Sequence, residues 1–233
     1  MKPIKTYIPN AITLLNLLCG AIAITLSFHS DDIFQGGLTG QQWACIFIVS
    51  AAVFDFCDGL SARLLGAYSP LGKELDSLSD LVSFGLAPAF LVMNLMSGWG
   101  ASLLLSLLPI FIALMGALRL ARFNIDTRQT TSFIGLPIPA NAIFWIGLIG
   151  WTWDHGYPGH WVMAVLIVGI SLLMICELSM FSLKFHTLDF RSNVRRYVLI
   201  FAALLFVITN GVAGLAWTII FYTLLSILPT REC

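Results

Sequence analysis

The chain has 233 residues, of which 58% are hydrophobic and 10% charged, and its formal net charge is zero. Soluble domains carry about 25% charged residues, so a soluble globular class is excluded, and a neutral chain lacks the basic footprint of a nucleic-acid partner. No Ser/Pro-rich or charged linker and no repeat of fixed period interrupts it, which predicts a single integral domain over 1–233.

MKPIKTYIPNAITLLNLLCGAIAITLSF opens like a signal peptide, and LLCG faintly mimics a lipoprotein cleavage site. A cleavage site has small residues before the cut, whereas Leu17 and Leu18 precede Cys19 and the apolar run continues beyond it. This predicts an uncleaved first helix over about 8–28. Spans need roughly 20 apolar residues, and further candidates fall at about 43–64, 75–96, 101–121, 135–153 and 161–183. The last apolar stretch, 197–228, is too long for one span. Asn210-Gly211 is a turn signal inside it and predicts two spans, about 193–209 and 212–228. The expectation is an all-α polytopic membrane protein with about eight transmembrane helices.

Charge distribution orients that layout. With eight spans, one side receives the N-terminus, the 63–74, 119–134 and 184–196 loops and the C-terminus. Those segments hold Lys2, Lys5, Arg63, Lys73, Arg119, Arg122, Arg128, Lys184, Arg191, Arg195, Arg196 and Arg231, which are all 12 Lys and Arg of the chain. The opposite loops carry Asp31, Asp32 and Asp154 and no basic residue. The positive-inside rule then makes the protein multi-pass in the cell (inner) membrane, with both termini cytoplasmic.

Against this background, DFCDGLSARLLGAYSPLGKELDSLSD (55–80) places four aspartates within 26 residues. Asp55 and Asp58 are spaced i,i+3, and Asp76 and Asp80 i,i+4, so each pair shares a helix face. Gly66, Pro70 and Gly72 break the helix between them, which predicts a hairpin whose acidic faces look at each other. At ~1.5 Å per residue, Asp58 and Asp55 lie about 7.5 and 12 Å beyond Arg63, and Asp76 and Asp80 about 4.5 and 10.5 Å beyond Lys73. The pairs are at matching depth below the cytoplasmic surface.

An aspartate at a helix centre costs about 2.5–3.5 kcal/mol on insertion scales, and mutual repulsion adds to four of them. Divalent cations would neutralise the cluster, and an all-oxygen donor set without nearby His favours Mg²⁺, Mn²⁺ or Ca²⁺ over Zn²⁺. Two ions shared by four carboxylates suit phosphoryl-type chemistry, clamping attacking and leaving oxygens. Gly59 and Ala62 beside the acids let a nucleotide approach the backbone. Cys57 is turned away from both neighbouring aspartates, and the five cysteines (19, 45, 57, 176, 233) show no metal-binding spacing and read as small apolar residues.

Asp55, Asp58, Gly59, Ala62, Arg63, Gly72, Asp76 and Asp80 resemble the CDP-alcohol phosphotransferase signature, D-x2-D-G-x2-A-R-x8-G-x3-D-x3-D, with every spacing met. At roughly 6% per residue type, eight such positions coincide by chance on the order of 10⁻¹⁰ per start. PNAITLLNLLCG (9–20), ELDSLSDLVSFGLAP (74–88), ALRLARFN (117–124) and FIGLPIPANA (133–142) are similar to the bacterial CDP-diacylglycerol–serine O-phosphatidyltransferases. The resemblance implies transfer of a phosphatidyl group from CDP-diacylglycerol to the hydroxyl of L-serine, with release of CMP, on two Mg²⁺ or Mn²⁺ ions, by a homodimer among membrane lipids. It implies that Asp55, Asp58 and Asp76 hold a diphosphate-bound metal, that Asp76 and Asp80 face a second, and that Asp80 is the general base. Gly59, Ala62 and Gly72 would line the cytidine pocket, with Arg63 near the nucleotide or its phosphates.

Serine's carboxylate calls for a cation, and Arg119 and Arg122, i,i+3 at the cytoplasmic end of span four, are candidates; positive-inside anchoring is the other reading of both. Asn10, Thr13 and Asn16 recur on one face of span one, and Asn16, too deep to be a cap, is read as facing the aspartate hairpin and as a candidate contact for serine. Gly135, Pro137 and Pro139 predict irregular backbone at the start of span five, of the kind that borders a cavity. Glu177 reads as an acid inside span six, and His29, His155, His160 and His186 as surface histidines. Two other functions fit parts of the pattern. The same donor could meet a phosphorylated alcohol, glycerol 3-phosphate or an inositol phosphate, with Arg119, Arg122 and Arg128 as the added cluster. A cation transporter could use intramembrane aspartates as a relay, although its acids would be distributed across the membrane.

Overall fold

In α1 (Tyr7–Ser27) the buried residues are Pro9, Thr13, Asn16, Cys19, Gly20, Ala23 and Ser27, while Leu14, Leu15 and Leu18 are exposed. That inversion suits a helix in lipid, where large apolar side chains face outward and small or polar ones form the seam to neighbouring helices. The computed structural model describes residues 7–126, 133–181 and 189–227. They fall into two units, 1–120 and 121–233.

In the first unit α1 packs along α2 (Gly40–Leu65). The turn between them ends in a capping box: Gln42 N–H donates to Thr39 Oγ1 at 3.3 Å, and Thr39 N–H to Gln42 Oε1 at 2.9 Å. Helix α2 ends where Gly66 takes φ +60°, a left-handed conformation suited to glycine. Four residues later α3 (Pro70–Asp80) starts, with Pro70 in its first turn and Ser69 Oγ accepting from Gly72 N–H at 3.0 Å. The chain continues through a π-helical segment, Leu81–Leu86, into α4 (Ala87–Gly98). Pro88 offers no N–H to the carbonyl four residues back and its ring crowds that carbonyl, which accounts for the widened turn before it. Asn94 Nδ2 donates to Ser27 Oγ at 2.9 Å and ties α4 to the far end of α1. The span expected at 101–121 is divided into α5 (Leu103–Ser106) and α6 (Ile110–Ile125), with Pro109 in the break.

In the second unit β1 (Phe133–Ile134) pairs antiparallel with β2 (Ser179–Met180), Phe133 opposite Met180. Gly135 has φ +75°, and a Cβ there would strike the Met174 carbonyl. Helix α7 (Ile138–His155) therefore begins only after this strap, with Pro139 in its first turn. Helix α8 (His160–Ile175) is shorter than the 161–183 expected, because the chain leaves it to form β2. Glu177 consequently lies exposed in the loop after α8 and not inside a span. The break read at Asn210-Gly211 is present: α9 (Phe190–Asn210) and α10 (Gly214–Ile227) flank a 3₁₀ turn and double back on each other, with the Phe206 and Phe221 rings 6.0 Å apart.

Among the described residues, five helical stretches are long and apolar enough to cross a membrane: Tyr7–Ser27, Gly40–Leu65, Pro70–Gly98, Leu103–Ile125 and Asn193–Ile227. The expected count of eight also takes in α7 and α8 and divides the last stretch at Gly211–Ala213. Lys2, Lys5, Arg128, Lys184, His186, Arg231 and Cys233 lie outside the described residues.

Candidate active site

Helix α2 carries Asp55, Asp58, Gly59, Ala62 and Arg63, and α3 carries Gly72, Asp76 and Asp80. The bend between them, fixed by the Gly66 cap and the Ser69 N-cap, folds one acidic face toward the other. One carboxylate oxygen from each of Asp55, Asp76 and Asp80 lies within 4.8 Å of the other two. Oxygen ligands on opposite sides of one Mg²⁺, Mn²⁺ or Ca²⁺ are about 4–5 Å apart, so the trio matches a shared hard cation.

Asp58 stands apart from that trio, in the wall of a cavity of about 500 Å³ that also takes in Asp76. Asp76 thus belongs to both the carboxylate trio and the cavity. Asp58 Oδ2 and Asp76 Oδ1 are buried without a hydrogen-bond partner, an arrangement costly for carboxylates unless a cation completes it. Arg63 does not supply that charge: it is exposed, and its Nε–H donates along the helix to Gly59 O at 3.0 Å. The donor set and the orphaned oxygens therefore fit divalent ions.

Gly59, Ala62 and Gly72 line the same cavity, but for different reasons. A Cβ on Gly59 would meet nothing nearer than Arg63 Nη2 at 4.0 Å, so it would project into open space. A Cβ on Gly72 would sit 3.0 Å from Asn10 Oδ1 and 3.1 Å from Ser69 Oγ, against α1 and the cap. The α1 stripe completes the wall with Asn10 and Thr13, the Thr13 hydroxyl donating to Pro9 O at 3.0 Å. Asn16 is fully buried, and its Nδ2–H donates to Asp80 Oδ1 at 3.2 Å.

The lining comes from α1, α2, α3 and the intervening turn, and includes neither Arg119 nor Arg122. Arg119 is 6% exposed on α6. Arg122, exposed in the second unit, donates from Nη1 to Ile175 O at 3.1 Å. Tyr68 and Ser69 also line the cavity, and so does Lys73, which the sequence marks only as a basic loop residue; the Ser-Pro pair opening α3 is the signal that places Ser69 at a helix cap.

Residues 6–175 match the model of the CDP-alcohol phosphatidyltransferase family. The chain belongs to that family. Among curated proteins it is 34% identical over 188 residues to a CDP-diacylglycerol–serine O-phosphatidyltransferase of Bacillus subtilis, covering 78% of this chain and 94% of the relative. It is 37% identical over 171 residues to the protein of that name in Methanocaldococcus jannaschii, covering 73% and 72%. It is 34% identical over 181 residues to an archaetidylserine synthase of Methanothermobacter thermautotrophicus, covering 76% and 71%. The names of these relatives differ in the lipid and share the serine. The family match also runs across the boundary between the two units at residue 120.

Proposed function

We propose that this CDP-alcohol phosphatidyltransferase moves the phosphatidyl group of CDP-diacylglycerol onto the hydroxyl of L-serine, giving phosphatidylserine and CMP. The observation that carries the chemistry is the convergence of Asp55, Asp76 and Asp80 within 4.8 Å, next to the cavity walled by Asp58 and Asp76. The serine named in all three relatives supports the acceptor.

Asp55, Asp58 and Asp76 would hold a divalent ion at the donor diphosphate, and Asp76 and Asp80 a second. Bound Mg²⁺ or Mn²⁺ would supply positive charge that polarises the phosphoryl oxygens. Gly59, Ala62 and Gly72 are the residues proposed to border the cytidine, and Arg63, exposed beside Gly59, is the cation proposed for its phosphates. Asp80 takes the serine hydroxyl proton as that oxygen bonds to the phosphatidyl phosphorus. The bond from that phosphorus to the bridging oxygen breaks, and CMP leaves. A carboxylate of ordinary pKa, ~3.9, is a weak base, so positioning at the cluster matters more than basicity. Arg119 and Arg122 are the cations proposed for serine's carboxylate.

The same reading sets the protein in its membrane. Eight spans put all 12 Lys and Arg on one side, which supports cytoplasmic termini, a cytoplasmic active site and an inner-membrane location. A family match crossing residue 120 supports one catalytic domain over 1–233. Homodimerisation is proposed on family membership alone.

The test offers purified protein CDP-diacylglycerol, Mg²⁺ or Mn²⁺, and serine, glycerol 3-phosphate or an inositol phosphate singly, and follows CMP release. Release with serine is expected. Release only with a phosphorylated alcohol would reassign the acceptor. No release with any alcohol, together with ion flux in proteoliposomes lacking CDP-lipid, would replace transfer by cation transport.

A further inference from the structure

Asp80 is held from behind by α1. Asn16 is fully buried, and its Nδ2–H donates to Asp80 Oδ1 at 3.2 Å across 64 residues of sequence. The backbone of Asn16 is gripped by the same partner segment, because Ser83 Oγ donates to Asn16 O at 2.9 Å. One turn further along α1, Gly20 lies so close to the π-helical segment that a Cβ on it would fall on Ser83 Oγ and 2.7 Å from Ser83 Cα. Ser79 and Ser83 are themselves fully buried. Three contacts thus fix the level of Asn16 against Asp80, and the segment that makes two of them, Leu81–Leu86, begins at the residue after Asp80.

We infer that Asn16 is a positioning residue for Asp80: its amide pins one carboxylate oxygen so that the other is presented to Asp55 and Asp76. The inference deepens the proposed function and rests on it for the role of Asp80. A carboxylate free to rotate has two equivalent oxygens and no preferred direction. A donor on one of them from a fully buried amide removes that freedom before substrate arrives. The amide works through Asp80: it lies behind the carboxylate and is not among the residues lining the cavity. The π turn contributes by widening the helix just past Asp80, where α1 approaches too closely for any side chain at position 20.

The experiment uses the full-length protein with Asn16→Leu, which removes the donor at similar volume, and Asn16→Asp, which keeps the shape. Four quantities are read: kcat from CMP release, KM for CDP-diacylglycerol, Mn²⁺ affinity by electron paramagnetic resonance titration, and Tm. The expected result is a fall in kcat of about 10- to 100-fold, the usual effect of losing the partner that orients a ligand. Mn²⁺ binding weakens in parallel, while the donor KM and Tm stay near those of the parent. Parental kcat and Mn²⁺ affinity in either variant would overturn the inference. So would losses of kcat that track equal losses of Tm and donor KM, since those report packing alone. If the leucine variant does not fold, the aspartate variant decides. A parent protein inactive with serine would refute the proposed acceptor, yet the Mn²⁺ titration would still judge Asn16 on its own.

Discussion

The two glycines of the signature should respond differently to one added methyl. At Gly59 the backbone is helical and a Cβ meets nothing nearer than 4.0 Å. Replacing a helix-interior glycine with alanine stabilises the helix by about 1 kcal/mol, so Gly59→Ala should raise Tm by roughly 2–4 °C for a chain of this size. The methyl, however, enters the cavity. If the cytidine fills that space, overpacking costs about 1–3 kcal/mol, or roughly 5- to 150-fold in donor affinity at 1.4 kcal/mol per factor of ten. At Gly72 the methyl sits 3.0 Å from Asn10 Oδ1 and 3.1 Å from Ser69 Oγ. Relief there disturbs the α3 N-cap, worth about 1 kcal/mol, which offsets the similar helical gain at this position of α3, so Gly72→Ala should leave Tm near the parent's while raising the donor KM. The assay is a thermal melt in detergent beside the CDP-diacylglycerol dependence of CMP release. An unchanged donor KM in Gly59→Ala would show that the cavity is not where the nucleotide binds.

Asp80→Asn, which keeps the shape and the Asn16 contact point, should abolish turnover while largely sparing CDP-diacylglycerol binding measured by equilibrium titration. Thorough chelation with EDTA should remove activity, and Mg²⁺ or Mn²⁺ should restore it in full; activity persisting in chelated buffer would sink the metal assignment. Gly20→Ala should destabilise the first unit by about 1–3 kcal/mol, read as a lower Tm, because its Cβ lands on Ser83. Arg119→Lys and Arg122→Lys should raise the serine KM with little effect on the donor KM, and two unchanged values would end their assignment to the carboxylate.

The hairpin was legible because its signals are local. Carboxylates at i,i+3 and i,i+4 define helix faces, and Gly66, Pro70 and Gly72 mark the break between the two helices within seven residues. The convergence of Asp55, Asp76 and Asp80 follows from that pattern once the bend is tight. Long-range packing was less legible. That α8 stops at Ile175 depends on β2 pairing with a strand more than 40 residues earlier, and apolar residues run on past the stop, so hydropathy alone extends the span and carries Glu177 into it. The division of 101–121 was written in Pro109, which hydropathy does not register. The partition of the aspartates was invisible too: i,i+3 spacing puts Asp55 and Asp58 on one face, but only the crossing of α3 decides that Asp55 joins the trio while Asp58 faces the cavity.

The α1 stripe shows how the chain keeps its carboxylates inside a membrane protein. In a soluble helix the buried face is the apolar one, but here every part of α1 is apolar enough and hydrophobicity carries little directional information. Direction comes from the residues that are small or polar: Thr13, Asn16, Gly20, Ala23 and Ser27, at alternating intervals of three and four. Gly20 lets the α1 backbone approach the π segment, and that approach brings the Asn16 amide within bonding distance of Asp80. Without it, Asp80 would be a carboxylate in a poorly solvated interior whose oxygens all need partners. Close packing between helices and tolerance of the acid are therefore one requirement. The stripe on span one and the signature on spans two and three meet in space, through the Asn16–Asp80 hydrogen bond and the shared cavity wall, although more than 35 residues separate Asn16 from Asp55.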